Sequence, residues 1–530
     1  MNQDITSKRY KYGRPKLRRF HQAKWDEPII FELHTPGQRG VLPPPIEDEM
    51  LAKTGDVFAA LPDEIRRDEP PALPEISQGQ VQRHYLRLSQ ENLGADFNVD
   101  VGQGTCTMKY SPKINEHLAR SPKMSALHPL QDVSAVQGIL EVMYRLEGFL
   151  KSISGMDRFS MQPCAGSSAI YTNVSIIRAY HRARGQAEQR DEIITTIFSH
   201  PSNAACAKTA GYKVITLYPD KDGYPDIGAL KSALSDRTAA LMITNPEDTG
   251  IYNPRIREFV DLVHQAGGIC SYDQANANGI LGITRAREAG FDLCHFNLHK
   301  TFSTPHGCGG PGGGASGATE ELARFLPVPV VSNDGGQYFL DYDLPDSIGK
   351  MTPFYGNAAV MLRAYAWIMS LGADGLREAA EIAVLNNNYL LDRMLKIRGV
   401  SAPYAEGKRR IEQVRYSWEK LTEETGVLSE QIGLRAADFG VHYWTSHHPF
   451  VVPEPCTLEP TESYSLRELD EYLSILSHVA SEAYQDPEVV KTAPHNSTIH
   501  LVDHEPLDDP DQWATTWRAF RRKVSENSPG

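Results

Sequence analysis

A chain of 530 residues is long enough for two or three domains around a sizeable core. Its 41% hydrophobic and 23% charged residues are those of an ordinary water-soluble fold. The net charge of −13 argues against general nucleic-acid binding, and the lack of an apolar run of about 18 residues argues against a helical membrane span.

The N-terminus is polar and basic, with no apolar core of a signal peptide. Residues 1–25 carry eight Lys or Arg and read as a flexible arm, or as one that wraps an acidic partner subunit. Residues 28–130 are rich in proline, with PPP at 43–45 and EPPALPE at 69–75. They read as an extended segment with short helices, lying across another surface. The seven cysteines are scattered, without CxxC spacing, which suits reduced thiols in a cytoplasm and neither a disulfide frame nor a zinc site.

A helix is expected at about 131–153, where Val136, Leu140, Met143 and Leu150 fall near one face. Strands and helices then alternate. FSMQPC (159–164), EIITTIFS (192–199), YKVITLYP (212–219), AALMITNP (239–246) and GICSYD read as strands; the segments after them include amphipathic helices. Near-continuous apolar strands of this kind imply a mostly parallel sheet covered on both faces, with ligands at the carboxyl ends of its strands.

Several polar groups stand at such ends. Gly166, Ser167 and Ser168 lie between a strand and a helix, where free N–H groups and hydroxyls bind dianions. Alone they would be a plain helix cap. Asp273 ends the strand in GGICSYDQANANG (267–279), and a carboxylate there can keep a pyridine nitrogen protonated. Lys300 follows a short apolar run with Leu293, Phe296 and Leu298, and opens a loop with His299, Thr301, Ser303, Thr304 and His306 before a glycine-rich stretch. A lysine so placed can shed solvent and attack a carbonyl as an amine. Singly these are an exposed lysine, a turn aspartate and a loop. Together they point to pyridoxal phosphate (PLP).

NLHKTFSTPHG with its glycine-rich sequel resembles the PLP-lysine signature of the glycine dehydrogenase (decarboxylating) family, the P-protein of the glycine cleavage system. It is most similar to the second subunit of the two-subunit form. GTCTMKYSPKINE (104–116), YDQANANGILG (272–282), SIGKMTPFYGN (347–357) and EPTES (459–463) agree, and the similarity runs from about 28 to about 505. The resemblance implies a PLP-dependent transferase fold of type I: an α/β chain with a mostly parallel sheet in a large domain, 131–371, and a smaller C-terminal α/β domain, 372–530, behind an arm and wrapping segment, 1–130. It implies Lys300, Asp273 and His200 as catalytic residues. Gly166, Ser167, Ser168, Asn203, Gln274 and His299 become cofactor contacts. Thr105, Thr107 and Lys109 are secondary candidates near the active site. Glycine as substrate, a possible lipoyl carrier protein and a homo- or hetero-oligomer with a related subunit follow from the same resemblance, and a cytoplasmic setting agrees with the cysteines.

The chain also departs from the family pattern. The family's AGAHGE is AGSSAI here, so Ser168 stands where a ring-stacking histidine is expected and Ile170 where a glutamate is. TNPNTLG becomes TNPEDTG, which brings in Glu247 and Asp248, and DGAN becomes DQAN through Gln274. The anchors are kept while the pocket changes. A diverged PLP enzyme acting on another amino acid without a lipoyl carrier is therefore the first alternative, and a non-catalytic partner subunit the second.

In the last third, FYGN (354–357) is expected to precede a helix, and 372–398 and 466–484 read as helices. RRIEQVRYSW and HPFVV read as strands. His447 and His448 lack a third ligand and read as loop residues.

Overall fold

The computed structural model describes residues 17–67, 69, 71, 73–93, 99–102, 106–107, 109–305, 312–404, 406–443, 451–498, 500–501, 521–522 and 525. Thr105, His306, His447, His448 and the first sixteen residues of the arm lie outside this set. The chain forms two compact units, Met1–Arg18 with Ala95–Ala493, and Arg19–Gly94 with Pro494–Gly530.

The larger unit is built on a seven-stranded sheet. Its strands are β1 (Arg158–Ser160), β2 (Glu192–Thr196), β3 (Lys213–Leu217), β4 (Thr238–Thr244), β5 (Ile269–Gln274), β6 (Leu293–Asn297) and β7 (Gly314–Ala318), in the order β1-β7-β6-β5-β4-β2-β3. The pairs β3–β2–β4–β5–β6 are parallel, and β7 runs against both β6 and β1. The strands β5, β6 and β7 are buried along their whole length, which is why they read as unbroken apolar or small-residue text. Strand order reverses between β2 and β4, and a crevice opens at such a point.

The helices cover the sheet through stripes spaced three and four residues apart. In Gln137–Ser154 the buried positions are Leu140, Met143, Leu146, Glu147, Leu150 and Ser154. Glu147 is the exception in that apolar stripe, and it is used: its Oε1 accepts from Arg158 Nε and from the Phe159 N–H, both at 3.0 Å, and so fixes β1. Helix Gly166–Ala183 follows β1, and Pro201–Thr209 follows β2. FYGN does precede a helix, Ala358–Met394, which carries a break at Gly372 (φ 65°, ψ −176°) where a glycine tolerates the left-handed backbone.

A second core in the same unit gathers around Trp418, Tyr416, Leu421, Tyr472 and Leu476. It contains the antiparallel pair β10 (Val414–Ser417) and β11 (Pro455–Leu458) and the helix Leu466–Gln485, which starts with a capping box between Ser465 and Glu468. Another hairpin, β8 (Val330–Asp334) with β9 (Gln337–Asp341), lies in a stretch that the sequence left without a regular element. HPFVV is not a strand at its described end: 444–450 are outside the described residues, and the strand begins at Pro455.

The smaller unit is mostly extended, with the short helices Asp48–Thr54 and Gln78–Gln90. A buried Glu27 takes His84 at 2.9 Å and Arg87 at 3.0 Å. Val41, Leu42, Ile46, Phe58 and Ile65 are exposed along it. No described helix in the chain is long and apolar enough to cross a membrane.

Candidate active site

The site forms at the carboxyl ends of β2, β4, β5 and β6. Asp273, one residue before the end of β5, is only 2% exposed. Its Oδ2 accepts from Asn203 Nδ2 at 2.8 Å and its Oδ1 from the Ala275 N–H at 3.0 Å. His295 Nε2 lies 3.2 Å from Oδ1 but lacks the alignment of a hydrogen bond. Burial raises the Asp273 carboxyl, but His295, Asn203, the Ala275 N–H and His200 outweigh it and hold the group below its ordinary value. At His295 burial is the larger effect and lowers the imidazole. Near neutrality Asp273 therefore depends on the amide of Asn203 and the Ala275 N–H, which need no proton, more than on an imidazolium.

Lys300 stands three residues beyond β6 and is 6% exposed. Its N–H donates to the Asn297 carbonyl at 3.1 Å, and the Ser303 N–H returns to its carbonyl at 3.0 Å, so the loop is a tight turn. Ser303 takes a left-handed φ of 68°, a conformation that a non-glycine residue adopts at some energetic expense. Its hydroxyl donates to the Tyr110 carbonyl at 2.9 Å. Beside it the Thr301 hydroxyl accepts the Ala277 N–H at 3.0 Å, which ties the lysine loop to the loop after β5.

The helix Gly166–Ala183 begins at an extended Ala165 without a side-chain cap. Its first N–H groups have no partner within the helix, and Ser167 and Ser168 stand in its first turn. A Cβ at Gly166 would lie 2.6 Å from Asn297 Nδ2, so the turn packs directly on the end of β6 and only glycine fits. Asn297 Oδ1 is buried without a partner among the described residues. The glycines before β7 close the other side: the Gly314 N–H donates to the Pro163 carbonyl at 2.8 Å, and the Gly313 N–H to His299 Nδ1 at 3.2 Å. From the adjoining helix, Cys206 Sγ donates to the Ser167 carbonyl at 3.4 Å. His200 caps that helix, with Nδ1 accepting from the Ser202 N–H at 3.2 Å, and its charge reaches Asp273.

Thus Lys300, Asp273, Asn203, His200, His299 and the 166–168 turn converge on one end of the sheet. Gln274 is buried next to Asp273, with Oε1 unpartnered among the described residues. Thr107 and Lys109 arrive from another stretch: Thr107 Oγ1 donates to Glu459 Oε1 at 2.9 Å, while Lys109 pairs with Glu462 at 2.8 Å and lies 4.4 Å from the Trp367 ring.

Four further residues are part of this end and were missed in the sequence. His295 and Asn297 belong to β6, a strand read as simply apolar; polar residues at two alternate positions were the available signal. Glu412 and Glu459 are distant in sequence; no local signal marks Glu412, and for Glu459 the resembling EPTES segment was the available one. Glu459 lies in EPTES, and burial pushes its carboxyl up to about 8 despite Asn276, Thr107, Lys300 and Lys109. Burial also raises Glu412, helped by Glu459 and Asp248.

The departures from the family pattern lie at the same end. Glu247 follows β4, takes the Thr196 hydroxyl at the point where strand order reverses, and is pushed up to about 8 by burial. Asp248 pairs with Arg415 at 2.6 Å, both buried.

A PLP molecule suits these residues. The uncapped helix offers N–H groups to its phosphate, Asp273 a charge to its ring nitrogen, and Lys300 an amine to its aldehyde.

The profile of the aminotransferase class-V family matches residues 171–316, and that of the glycine dehydrogenase C-terminal domain matches 379–503. The probable glycine dehydrogenase (decarboxylating) subunit 2 of Pyrococcus abyssi is 48% identical over 487 residues, 91% of this chain and 95% of that protein. The Pyrococcus furiosus protein of the same name is 48% identical over 510 residues, 95% and 98% of the two chains. That of Caldanaerobacter subterraneus is 44% identical over 90% of this chain and 96% of its own. Among solved structures, the inhibitor-bound glycine decarboxylase (P-protein) of the glycine cleavage system aligns with a TM-score of 0.69 at 20% identity, over 83% of this chain and all of that one. A NifS-like protein aligns with a TM-score of 0.55 at 14% identity, over 72% and 99%. These last two establish the fold. By its sequence relatives, the chain belongs to the family of glycine dehydrogenase (decarboxylating) subunit 2, whose cofactor is pyridoxal phosphate.

Proposed function

We propose that this chain is the PLP-bearing subunit of a glycine decarboxylase, working with a related first subunit and passing the aminomethyl group to a lipoyl carrier protein in the cytoplasm. In this reading 131–371 is the cofactor domain, 372–530 the small domain and 1–130 the arm and wrapping segment. One observation carries the proposal: a buried lysine and a buried, hydrogen-bonded aspartate at adjacent strand ends, in a chain that spans 95% or more of relatives named for this activity.

Bound PLP supplies an electron sink for the pair left at Cα when CO₂ departs. The remaining steps fall to the chain. Lys300 Nζ would hold the cofactor through its aldehyde. Asp273 keeps a proton on the ring nitrogen, and Asn203 and the Ala275 N–H keep Asp273 ionised. Gly166, Ser167 and Ser168 bind the phosphate, while His299 holds the lysine loop against Gly313. His200 and Gln274 face the substrate from the ends of β2 and β5. Burial of these groups would exclude water from the reacting carbon.

A second reading is favoured by Glu247 and Asp248, which bring buried acid to a loop where the family pattern has none. It is a PLP enzyme of the same fold acting on another amino acid without a carrier. An amino-acid panel on the PLP-loaded protein separates the two. Release of ¹⁴CO₂ from [1-¹⁴C]glycine that requires both a first subunit and a lipoylated carrier supports the first reading. A spectral change and product from a different amino acid, with no response to glycine, overturns it.

A further inference from the structure

Along the less buried face of the helix Gly166–Ala183 lies a cavity of about 440 Å³ that the proposed reaction does not use. All of its lining belongs to the larger unit. Tyr171, Ser175, Arg178 and Arg182 line it from the helix, at the spacing of three and four residues that puts them on one face. Phe325, Ser347 and Ile348 line it from other segments. These are tied together, because the Ile348 N–H donates to the Phe325 carbonyl at 3.1 Å and the Ser347 hydroxyl to the Leu326 carbonyl at 2.6 Å. The size falls within the range of about 300–1,000 Å³ usual for small-molecule sites.

The charges in it are unmatched. Arg178 Nη1 donates to the Ala210 carbonyl at 2.5 Å, which fixes that guanidinium at the cavity. Neither Arg178 nor Arg182 has a carboxylate partner among the described residues. Arg184, just past the helix, does have one, Glu321 at 3.2 Å. The acid in the lining, Asp346, lies 3.6 Å from Arg324, outside the cavity. Two like charges four residues apart on a helix repel each other, and a dianion between them removes the repulsion. A cavity of about 480 Å³ beside Leu473 shows the contrast: its Lys396 pairs with Asp392 at 2.5 Å and its His478 with Glu482 at 3.1 Å.

We propose that the cavity at Arg178 and Arg182 binds an organic phosphate, with its phosphoryl groups on the two arginines and an aromatic or apolar body against Tyr171, Phe325 and Ile348. Two guanidinium groups match a phosphate dianion in charge and in planar geometry, whereas one carboxylate would neutralise only half of the pair. The hydroxyls add a polar edge. Ser175 donates to the Tyr171 carbonyl at 2.8 Å and Ser347 to that of Leu326, so both keep lone pairs that can accept from the ligand. The inference does not depend on the reading of Lys300.

The test is calorimetric titration of the full chain with ADP, UDP and flavin mononucleotide. Pyrophosphate serves as the charge without the body, and adenosine as the body without the charge. Saturating PLP is present, because the same helix begins at the 166–168 turn and a nucleotide phosphate could otherwise lodge there. At least one of the three nucleotides is expected to bind at one site per chain, at least about tenfold more tightly than pyrophosphate or adenosine. R182Q is expected to weaken that binding at least about tenfold. The Arg182 side chain makes no described hydrogen bond, so R182Q should unfold at the wild-type temperature. Should it fail to fold, R178K keeps the charge, loses the planar fork and should weaken binding as well. No binding of any nucleotide, or binding undiminished in R182Q or R178K, overturns the proposal. So does binding seen only without PLP, which places the nucleotide at the cofactor turn. Pyrophosphate held as tightly as the nucleotides overturns the organic ligand and leaves a bare anion patch.

Discussion

The two sides of the active site are built on opposite principles. On the cofactor side, Asp273 is buried and matched: two aligned donors reach its carboxylate and hold it ionised. In an acidic wall at the same end, Glu247, Glu412 and Glu459 are equally buried, but burial prevails and pushes all three up. A buried carboxyl whose partners outweigh burial stays charged; one whose partners do not is held neutral. The first arrangement keeps the family pattern, and at Glu247 the second departs from it.

The largest expected effect tests the fixed side. K300A removes the only atom proposed to hold PLP covalently, so activity should fall by at least about a thousandfold. Mass analysis after borohydride reduction should find no PLP on the Lys300 peptide. Trapping at another lysine would remove the basis for treating this side as the anchor.

Next comes D273N. The amide offers one acceptor where the carboxylate offered two, so either Asn203 Nδ2 or the Ala275 N–H loses its partner. The ring nitrogen also loses its counter-charge. Turnover should drop about a hundredfold or more, and unfolding free energy by about 1–3 kcal/mol. Denaturant unfolding and kcat together check this; a variant with normal turnover would mean that the ring is not held by Asp273.

The sheet and its anchors were legible because burial on both faces leaves its mark in local text. The parallel strands β2 to β6 were each found within a few residues, and Lys300 and Asp273 stood out as candidates because strand ends in such a sheet are where ligands bind. The reversed β7 was not, since Gly314–Ala318 is a run of small residues that reads as part of a glycine-rich loop. The hairpin of β8 and β9 was missed because half of it is exposed and its turn is Gly335–Gly336. The acidic wall was illegible for another reason. Glu412 and Glu459 come near one another only through tertiary packing, and an isolated glutamate in sequence looks like a solvated one.

The wall acid Glu247 gives a pH test with the sign opposite to that of Asp273. The Asp273 carboxyl lies below its ordinary 3.8, so it adds stability that is complete above that pH and fades as the pH falls through its folded value. Glu247 lies above its ordinary 4.5, at about 8. Between those two values the folded state keeps a proton that the unfolded state has released. Stability from Glu247 is therefore full below 4.5 and is lost as the pH rises towards 8, by up to about 1.4 kcal/mol per pH unit. E247Q mimics the protonated form, so its unfolding free energy should decline less than that of wild type from pH 5 to pH 8. Parallel declines would show that Glu247 is ionised in the folded protein and belongs with Asp273.

The smallest effect sharpens the comparison where the two sides meet. Ser168 occupies the position at which the family pattern has a histidine expected to stack on the ring. It is half-buried in the first turn of Gly166–Ala183, and its carbonyl takes the Thr172 hydroxyl at 2.8 Å, a bond that any residue at 168 can make. S168H should therefore leave stability within about 0.5 kcal/mol of wild type. If the ring lies over this position, an imidazole adds about 0.5–1.5 kcal/mol of stacking and tightens PLP binding by up to about tenfold. Equilibrium titration of the apoprotein with PLP measures it. Tighter binding with an unchanged choice of amino acid would mark Ser168 as a loss confined to the cofactor side. Unchanged binding would mean that another side chain already covers that face of the ring. A changed choice of amino acid would place Ser168 with Glu247 in the wall that selects the substrate.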